Sequence, residues 1–185
     1  MLENLIDLVR QHAGEAIVNN PAIPNDRNEE AIREASGSIT GGLQNLLSQG
    51  GLQDVLKLFS GNTDVAASGV TQQVSGGFIQ TLMSKFGLDQ QTAGQVAGQV
   101  VPRVMTDLVN KTNDPAEKGF DIQGLFNHLS GGSTGSLDMQ GLLNKVKGGL
   151  DLNGDGQTDL QDLKAAFQGQ AGGGGLMDKI KGIFG

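Results

Sequence analysis

Apolar residues recur every three or four positions along most of this chain of 185 residues. That spacing places them on one face of an α-helix, whereas a half-buried strand alternates apolar and polar residues with a period of two. The helical pattern is clearest at the start, where the apolar residues are Leu2, Leu5, Ile6, Val9, Ala13, Ala16 and Ile17. Because no segment shows the strand pattern, the sequence predicts an all-α fold, a multi-helical bundle.

Turn and cap residues divide the first part of the chain into five predicted helices. The first ends at "NNPAIPND", and the second begins after Asp26 with Glu29 as its capping-box partner. "GGLQDVLKLFSG" is the third, and "VTQQVSGGFIQTLMSKFG", closed by Gly87, is the fourth. Asp89 caps the fifth, which contains Pro102.

The fifth predicted helix carries a face of small residues. Ala93, Gly94, Ala97 and Gly98 follow one another at helical spacing. Small side chains let two helix backbones approach closely. We interpret this face as tight packing in the core, with a dimer face as the alternative.

A pair of repeats follows the five helices. "FDIQGLFNHL" (120–129) and "LDMQGLLNKV" (137–146) share their Asp, Gln, Gly, Leu and Asn. Each predicts a short helix capped by Asp121 or Asp138 and too short to be stable alone. The repeats are therefore expected to pack on the bundle or on a neighbouring subunit, joined by the flexible connector "SGGSTGS".

The stretch "KFGLDQQTAGQVAGQVVPRVMTDLVNK" resembles the central part of the YidB-like family of bacterial helical proteins of unknown function. The closing "GLMDKIKGIFG" resembles the C-terminus of that family. The resemblance covers about residues 36–113 and the tail, and it implies an all-α bundle. It implies no activity, and residues 151–162 depart from the simplest members of the family.

The strongest chemical signal is "DLNGDGQTDLQD", residues 151–162. An EF-hand loop of twelve residues takes oxygen ligands from positions 1, 3, 5, 7, 9 and 12 and needs glycine at position 6. Gly156 stands at position 6. The predicted ligands of one Ca²⁺ ion are Asp151, Asn153, Asp155, the backbone carbonyl of Gln157, Asp159 and Asp162.

Apolar residues flank this loop as a helix-loop-helix requires. Met139, Leu143, Val146 and Leu150 are predicted to line the entering helix, and Leu160, Leu163 and Phe167 the exiting one. The loop also resembles the loop and helix of dockerin modules, but those carry two copies and this chain carries one. The alternative interpretation is a polar turn with solvated carboxylates.

These patterns predict a domain organisation. Residues 1–115 form the bundle, with its YidB-like core at about 36–113, and residues 116–149 form the two repeated arms. Residues 150–168 hold the calcium loop and exiting helix, 169–175 form a Gly-rich linker, and 176–185 an amphipathic tail. The tail is too short to be stable alone, so it must dock on its own bundle, on another subunit or on a membrane.

Composition excludes several classes of function. A net charge of −7 without a basic patch argues against nucleic acid as a partner. The absence of cysteine excludes disulfides, thiol catalysis and cysteine zinc sites. No catalytic motif is present, so we predict no enzyme activity. His12 and His128, the only histidines, are interpreted as solvated helix residues.

The N-terminus lacks the features of a signal peptide, and no apolar run approaches the roughly 18 residues of a membrane span. The predicted location is the cytoplasm, with extracellular release by an unconventional route as the alternative, and membrane association is disfavoured. The sequence thus predicts a non-catalytic, calcium-binding structural protein that self-associates as a dimer or filament. The alternative is a calcium-responsive regulatory or adaptor protein that binds another protein through an apolar groove.

Overall fold

The computed structural model describes residues 2–132, 134–135 and 137–147, and all regular structure within these ranges is helical. Its α-helices are α1 (Leu2–His12), α2 (Asn28–Ser48), α3 (Leu52–Phe59), α4 (Gly69–Phe86), α5 (Gln90–Asn113), α6 (Ile122–Leu129) and α7 (Met139–Lys147). This part of the chain confirms the predicted all-α bundle. The predicted calcium loop, its exiting helix, the Gly-rich linker and the tail lie outside the described residues.

The three long helices α2, α4 and α5 form the centre of the bundle. α4 packs along both α5 and α2, and α1 lies against α2 and α5. The largest fully buried side chains include Leu8, Ile32, Ile39, Phe59, Phe78, Leu82 and Phe126. No helix among the described residues has both the length and the apolar character needed to cross a membrane.

The first predicted helix is interrupted in the structure. α1 ends at His12, and Gly14–Val18 form a π-helical turn in which Val18 N donates to Ala13 O (3.0 Å). Glycine has low helix propensity, which favours a break at this position. The wider turn still places Ala13 and Ile17 in the core, so the predicted apolar face is kept although the helix is not continuous.

The capping box predicted for the second helix is wrong. α2 begins after a 3₁₀ turn at Asn25–Arg27, and its first turn has no side-chain cap. Glu29 instead accepts a hydrogen bond from Arg10 Nη2 on α1 (2.9 Å). This bond from the guanidinium holds the pKa of Glu29 below its usual value. Glu29 therefore joins two helices and does not close the start of its own.

The other predicted helix ends are confirmed. Gly87 ends α4 in the left-handed conformation (φ 68°), which glycine adopts without steric cost. Asp89 caps α5 by accepting a hydrogen bond from Thr92 N (3.0 Å). α5 then continues through Pro102 to Asn113. These signals depend on residues close in sequence, which is why the sequence predicts them well.

The small-residue face of α5 divides into two parts. Ala93 and Ala97 are fully buried, as expected for core packing. Gly94 and Gly98 face open space, since a Cβ built on either would lie more than 4 Å from any neighbouring element. The interpretation of these two glycines as close-packing core residues is therefore wrong, and the dimer face stays a prediction.

Candidate functional site

The two repeats form α6 and α7, and both use the predicted aspartate caps. Asp121 Oδ1 accepts a hydrogen bond from Gly124 N (2.6 Å), and Asp138 Oδ1 accepts one from Gly141 N (2.8 Å). A Cβ on either glycine would collide with the capping carboxylate. The glycine shared by the repeats thus makes room for the cap. Both helices pack on the bundle, α6 against α2 and α7 against α3, and on each other.

One glutamine ties the two repeats together. Gln123 Nε2 donates to the backbone oxygen of Thr134 in the connector (3.1 Å), and its Oε1 accepts from Met139 N at the start of α7 (3.1 Å). Thr134 is buried and also bonds Ser130. The connector is therefore held by specific hydrogen bonds, at least at its described residues, contrary to the prediction of a flexible link.

α7 is the helix predicted to enter the calcium loop. Three of its four predicted apolar residues, Met139, Leu143 and Val146, are buried against the bundle. The fourth, Leu150, lies outside the described residues. A helix is thus present where the sequence predicts the entering helix, and its apolar face is covered by the bundle.

The C-terminal end of α7 is fixed at two points. Asn62, in the loop after α3, donates from Nδ2 to Lys147 O (3.4 Å). Lys147 Nζ donates to Asn113 Oδ1 at the end of α5 (2.6 Å), and Asn113 Nδ2 donates in turn to Phe59 O (2.8 Å). The chain therefore leaves the described part of the molecule from a defined position on the bundle.

The predicted calcium ligands begin a few residues further on. Asp151, Asn153, Asp155, Gln157, Asp159 and Asp162 all lie outside the described residues. Among the residues that the structure does describe, no three His, Cys, Asp or Glu side chains are grouped so that they could hold a metal ion. The calcium site stays a prediction from ligand spacing.

His12 does not stand alone in solvent as interpreted from the sequence. Its Nε2 lies 2.7 Å from Asp107 Oδ2, which joins the end of α1 to α5. The imidazole is 23% exposed and the carboxylate 39%. Because the two residues are 95 positions apart, no local pattern could reveal the pair. Among the described residues, the side-chain partner of His12 is Asp107.

His128 agrees better with the sequence interpretation. It is exposed in the last turn of α6, where a basic residue complements the helix dipole. Its ring borders a small apolar crevice of about 10 Å³ that Leu5, Leu43 and Leu108 also line. A space of that size holds at most one water molecule.

A larger cleft lies between α3 and the start of α4, and we call it the α3–α4 cleft. Its volume is about 510 Å³. Leu46, Leu58 and Val70 supply its apolar lining, and Asp54, Lys57 and Asp64 its charged groups. This cleft is not evident from the sequence, because residues of three separate elements line it.

Comparison of the chain with protein-family models, with curated proteins and with solved structures finds no match. The resemblance to the YidB-like family therefore stays a prediction.

Proposed function

We propose that the protein is a non-catalytic, calcium-binding structural protein. A loop at residues 151–162 holds one Ca²⁺ and clips the C-terminal region to the bundle. The observation that carries the proposal is the position of α7. It is described as far as Lys147, and Asp151, the first predicted ligand, follows after three intervening residues. An EF-hand loop requires such an entering helix.

The charges around the loop support cation binding. Asp151, Asp155, Asp159 and Asp162 place four carboxylates within twelve residues. At short range these groups repel one another, and a divalent cation removes that repulsion while it orders the loop. We therefore expect calcium binding and folding of this region to be coupled.

A structural clip and a regulatory groove make different demands on the packing of α7. A calcium-controlled groove exposes an apolar helix face when the ion binds. The apolar face of α7 is already buried against α3 and α6. The regulatory alternative would require α7 to leave this site, together with the hydrogen bonds of Lys147.

Self-association is proposed to use residues beyond Lys147. Val18, at 40% exposure, is the only large apolar side chain exposed within the described ranges. Stable interfaces between subunits contain an apolar centre. The described surface offers none of appreciable size, whereas the tail carries five apolar residues in its last ten positions.

Calorimetry of the full chain with Ca²⁺ tests the proposal. We expect one ion per chain in the wild type and none in the Asp151→Ala/Asp155→Ala variant. Glu3→Ala/Glu15→Ala removes the same charge from exposed positions in the N-terminal segment and should bind as the wild type does. Absence of binding in the wild type, or equal loss in both variants, would refute the calcium site.

Thermal unfolding adds a second readout. A ligand at about 100 times its Kd stabilises the folded state by about 2.7 kcal/mol. For a chain of this length that corresponds to a rise in Tm of roughly 5–10 °C. Calcium should also leave the fluorescence of a hydrophobic dye unchanged if the loop is a clip, whereas a large increase would support the regulatory alternative.

A further inference from the structure

The α3–α4 cleft lies beside the point where the described chain ends. Asn62, whose side chain bonds Lys147 O, directly precedes Thr63 and Asp64, which line the cleft. Lys147 therefore lies close to residues that line this cleft.

We propose that the α3–α4 cleft is the docking site of the C-terminal segment of the same chain, residues 175–185 ("GLMDKIKGIFG"). Apolar side chains of the segment fill the space above Leu46, Leu58 and Val70. Those available are Leu176, Met177, Ile180, Ile183 and Phe184. A volume of about 510 Å³ accommodates several of them.

Charge selects this segment over the other apolar stretch beyond Lys147. In the cleft, two carboxylates, Asp54 and Asp64, face one amine, Lys57. The tail has the opposite balance, with Lys179 and Lys181 against Asp178. The stretch 159–167 ("DLQDLKAAF") carries two aspartates and one lysine, so it would add negative charge to an already negative cleft.

The length of the intervening chain favours docking within one molecule. Without calcium, residues 148–175 treated as a random coil would reach roughly 30 Å. A tether of this length gives an effective concentration in the millimolar range. Exchange of tails between molecules therefore becomes competitive only near that concentration. Self-association through exchanged tails is then a property of concentrated protein, and the dilute protein is a closed monomer.

This docking goes beyond the calcium proposal and does not depend on it, because the residues of the cleft and of the tail all lie outside residues 151–162. Calcium binding is measured by calorimetry, and tail docking is measured by the formation of an intramolecular disulfide. A failure of one proposal is therefore distinguishable from a failure of the other.

Disulfide trapping tests the docking directly, because the chain has no cysteine of its own. The test variant is Gln73→Cys/Gly185→Cys, since Gln73 is an exposed residue at the cleft. The control is Arg33→Cys/Gly185→Cys. Arg33 is also exposed but lies thirteen residues before Leu46 on α2, which is about 20 Å along the helix. Each full-length protein is oxidised mildly at about 1 µM, with calcium and with chelator.

We expect an intramolecular disulfide in the test variant at a rate at least fivefold higher than in the control. Non-reducing electrophoresis and peptide mass analysis identify the product. Equal rates in the two variants would overturn the proposal. A disulfide-linked dimer as the main product would overturn docking within one chain and assign the cleft to the tail of a second copy.

Charge reversal supplies a second measurement. Asp54→Lys/Asp64→Lys, added to the test variant, should slow disulfide formation several-fold while circular dichroism confirms an intact fold. Lys179→Glu/Lys181→Glu, added in turn, should restore the rate. A rate that neither pair of substitutions changes would contradict the assignment of this cleft to the tail.

Discussion

Gln123 and Gln140 occupy the same position of the two repeats but meet different surroundings. Gln123 bridges the connector and the first amide of α7 through Thr134 and Met139. Gln140 is exposed and makes one long hydrogen bond to Asn144 Oδ1 (3.4 Å). A repeat in the sequence therefore indicates the same local helix, but the partners of its side chains depend on the segments that pack around each copy.

Gln123→Ala is expected to lower the free energy of unfolding by about 1–3 kcal/mol, because it removes two hydrogen bonds that fix α7. Gln140→Ala is the matched control and should change it by less than about 0.5 kcal/mol. Urea denaturation of both variants provides the comparison. Similar losses in the two would contradict a stabilising role of the hydrogen-bonded bridge.

Asp89 caps the start of α5 with a charged side chain. Its carboxylate accepts hydrogen bonds from the side chain of Thr92 (2.7 Å) and from Thr92 N (3.0 Å), and these bonds lower its pKa. A carboxyl group with a lowered pKa stabilises the folded state above its unfolded pKa of about 3.9. That contribution is lost as the pH falls through the folded-state pKa.

We therefore expect the wild type to be more stable than Asp89→Asn near neutral pH. This difference in stability should decrease progressively as the pH falls below about 4. Ser68 caps α4 without a charge, by accepting from Thr71 N (3.1 Å), so the effect of Ser68→Ala should not follow this titration. Urea midpoints between pH 7 and pH 2.5 test both. An Asp89→Asn effect that persists unchanged at pH 2.5 would contradict the assignment.

At the scale of the element, α5 shows glycines that its own packing does not require. Gly94 and Gly98 face open space, whereas Gly42 on α2 lies where a Cβ would come within 2.8 Å of Val74 Cγ2. Gly42 therefore permits close approach between α2 and α4, whereas Gly94 and Gly98 only lower the helix propensity of α5. Only the structure separates the two cases, because each glycine sits within a similar helical pattern.

Gly94→Ala and Gly98→Ala are each expected to stabilise the monomer by about 1 kcal/mol, the difference in helix propensity. Gly42→Ala should destabilise it, because the buried and branched Val74 cannot move aside. Thermal unfolding of the three variants tests this. If Gly94→Ala and Gly98→Ala instead weaken a measured dimer, the two glycines belong to a subunit interface.

The sequence predicts those features of the helices that depend on residues close together in the chain. The caps at Asp89, Asp121 and Asp138 involve residues three positions apart, and all were predictable. The π-helical turn after α1 was not, because helical periodicity alone does not distinguish a continuous helix from one with a widened turn. The capping box at Glu29 failed because Arg10, on another helix, offers that carboxylate a charged partner.

At the scale of the whole molecule, the described residues form a closed core. The aromatic rings of Phe59 on α3 and Phe126 on α6 meet edge to face, with centroids 6.1 Å apart. The repeats thus complete the core of the bundle and are not appendages to it. The α3–α4 cleft and the pair of His12 with Asp107 were unpredictable for a related reason, since each joins segments far apart in sequence.

A chain ending at Lys147 is therefore expected to fold cooperatively, with one urea transition and with binding of a hydrophobic dye confined to the uncovered α3–α4 cleft. A chain ending at Asn113 lacks α6 and α7, leaves Phe59 uncovered and should bind the dye strongly. Circular dichroism and dye fluorescence of both chains test this. Strong dye binding by the chain that ends at Lys147 would show that later residues are needed to complete the core.

The contact between α1 and α5 has a consequence for synthesis of the protein. His12 leaves the ribosome long before Asp107, which is 95 residues further along the chain. At about 5–20 residues per second, the N-terminal helix waits roughly 5–20 s for its second neighbour. During that interval α2 and the π-helical turn are the partners available to it. The apolar face of α1 is therefore only partly covered until α5 has been made.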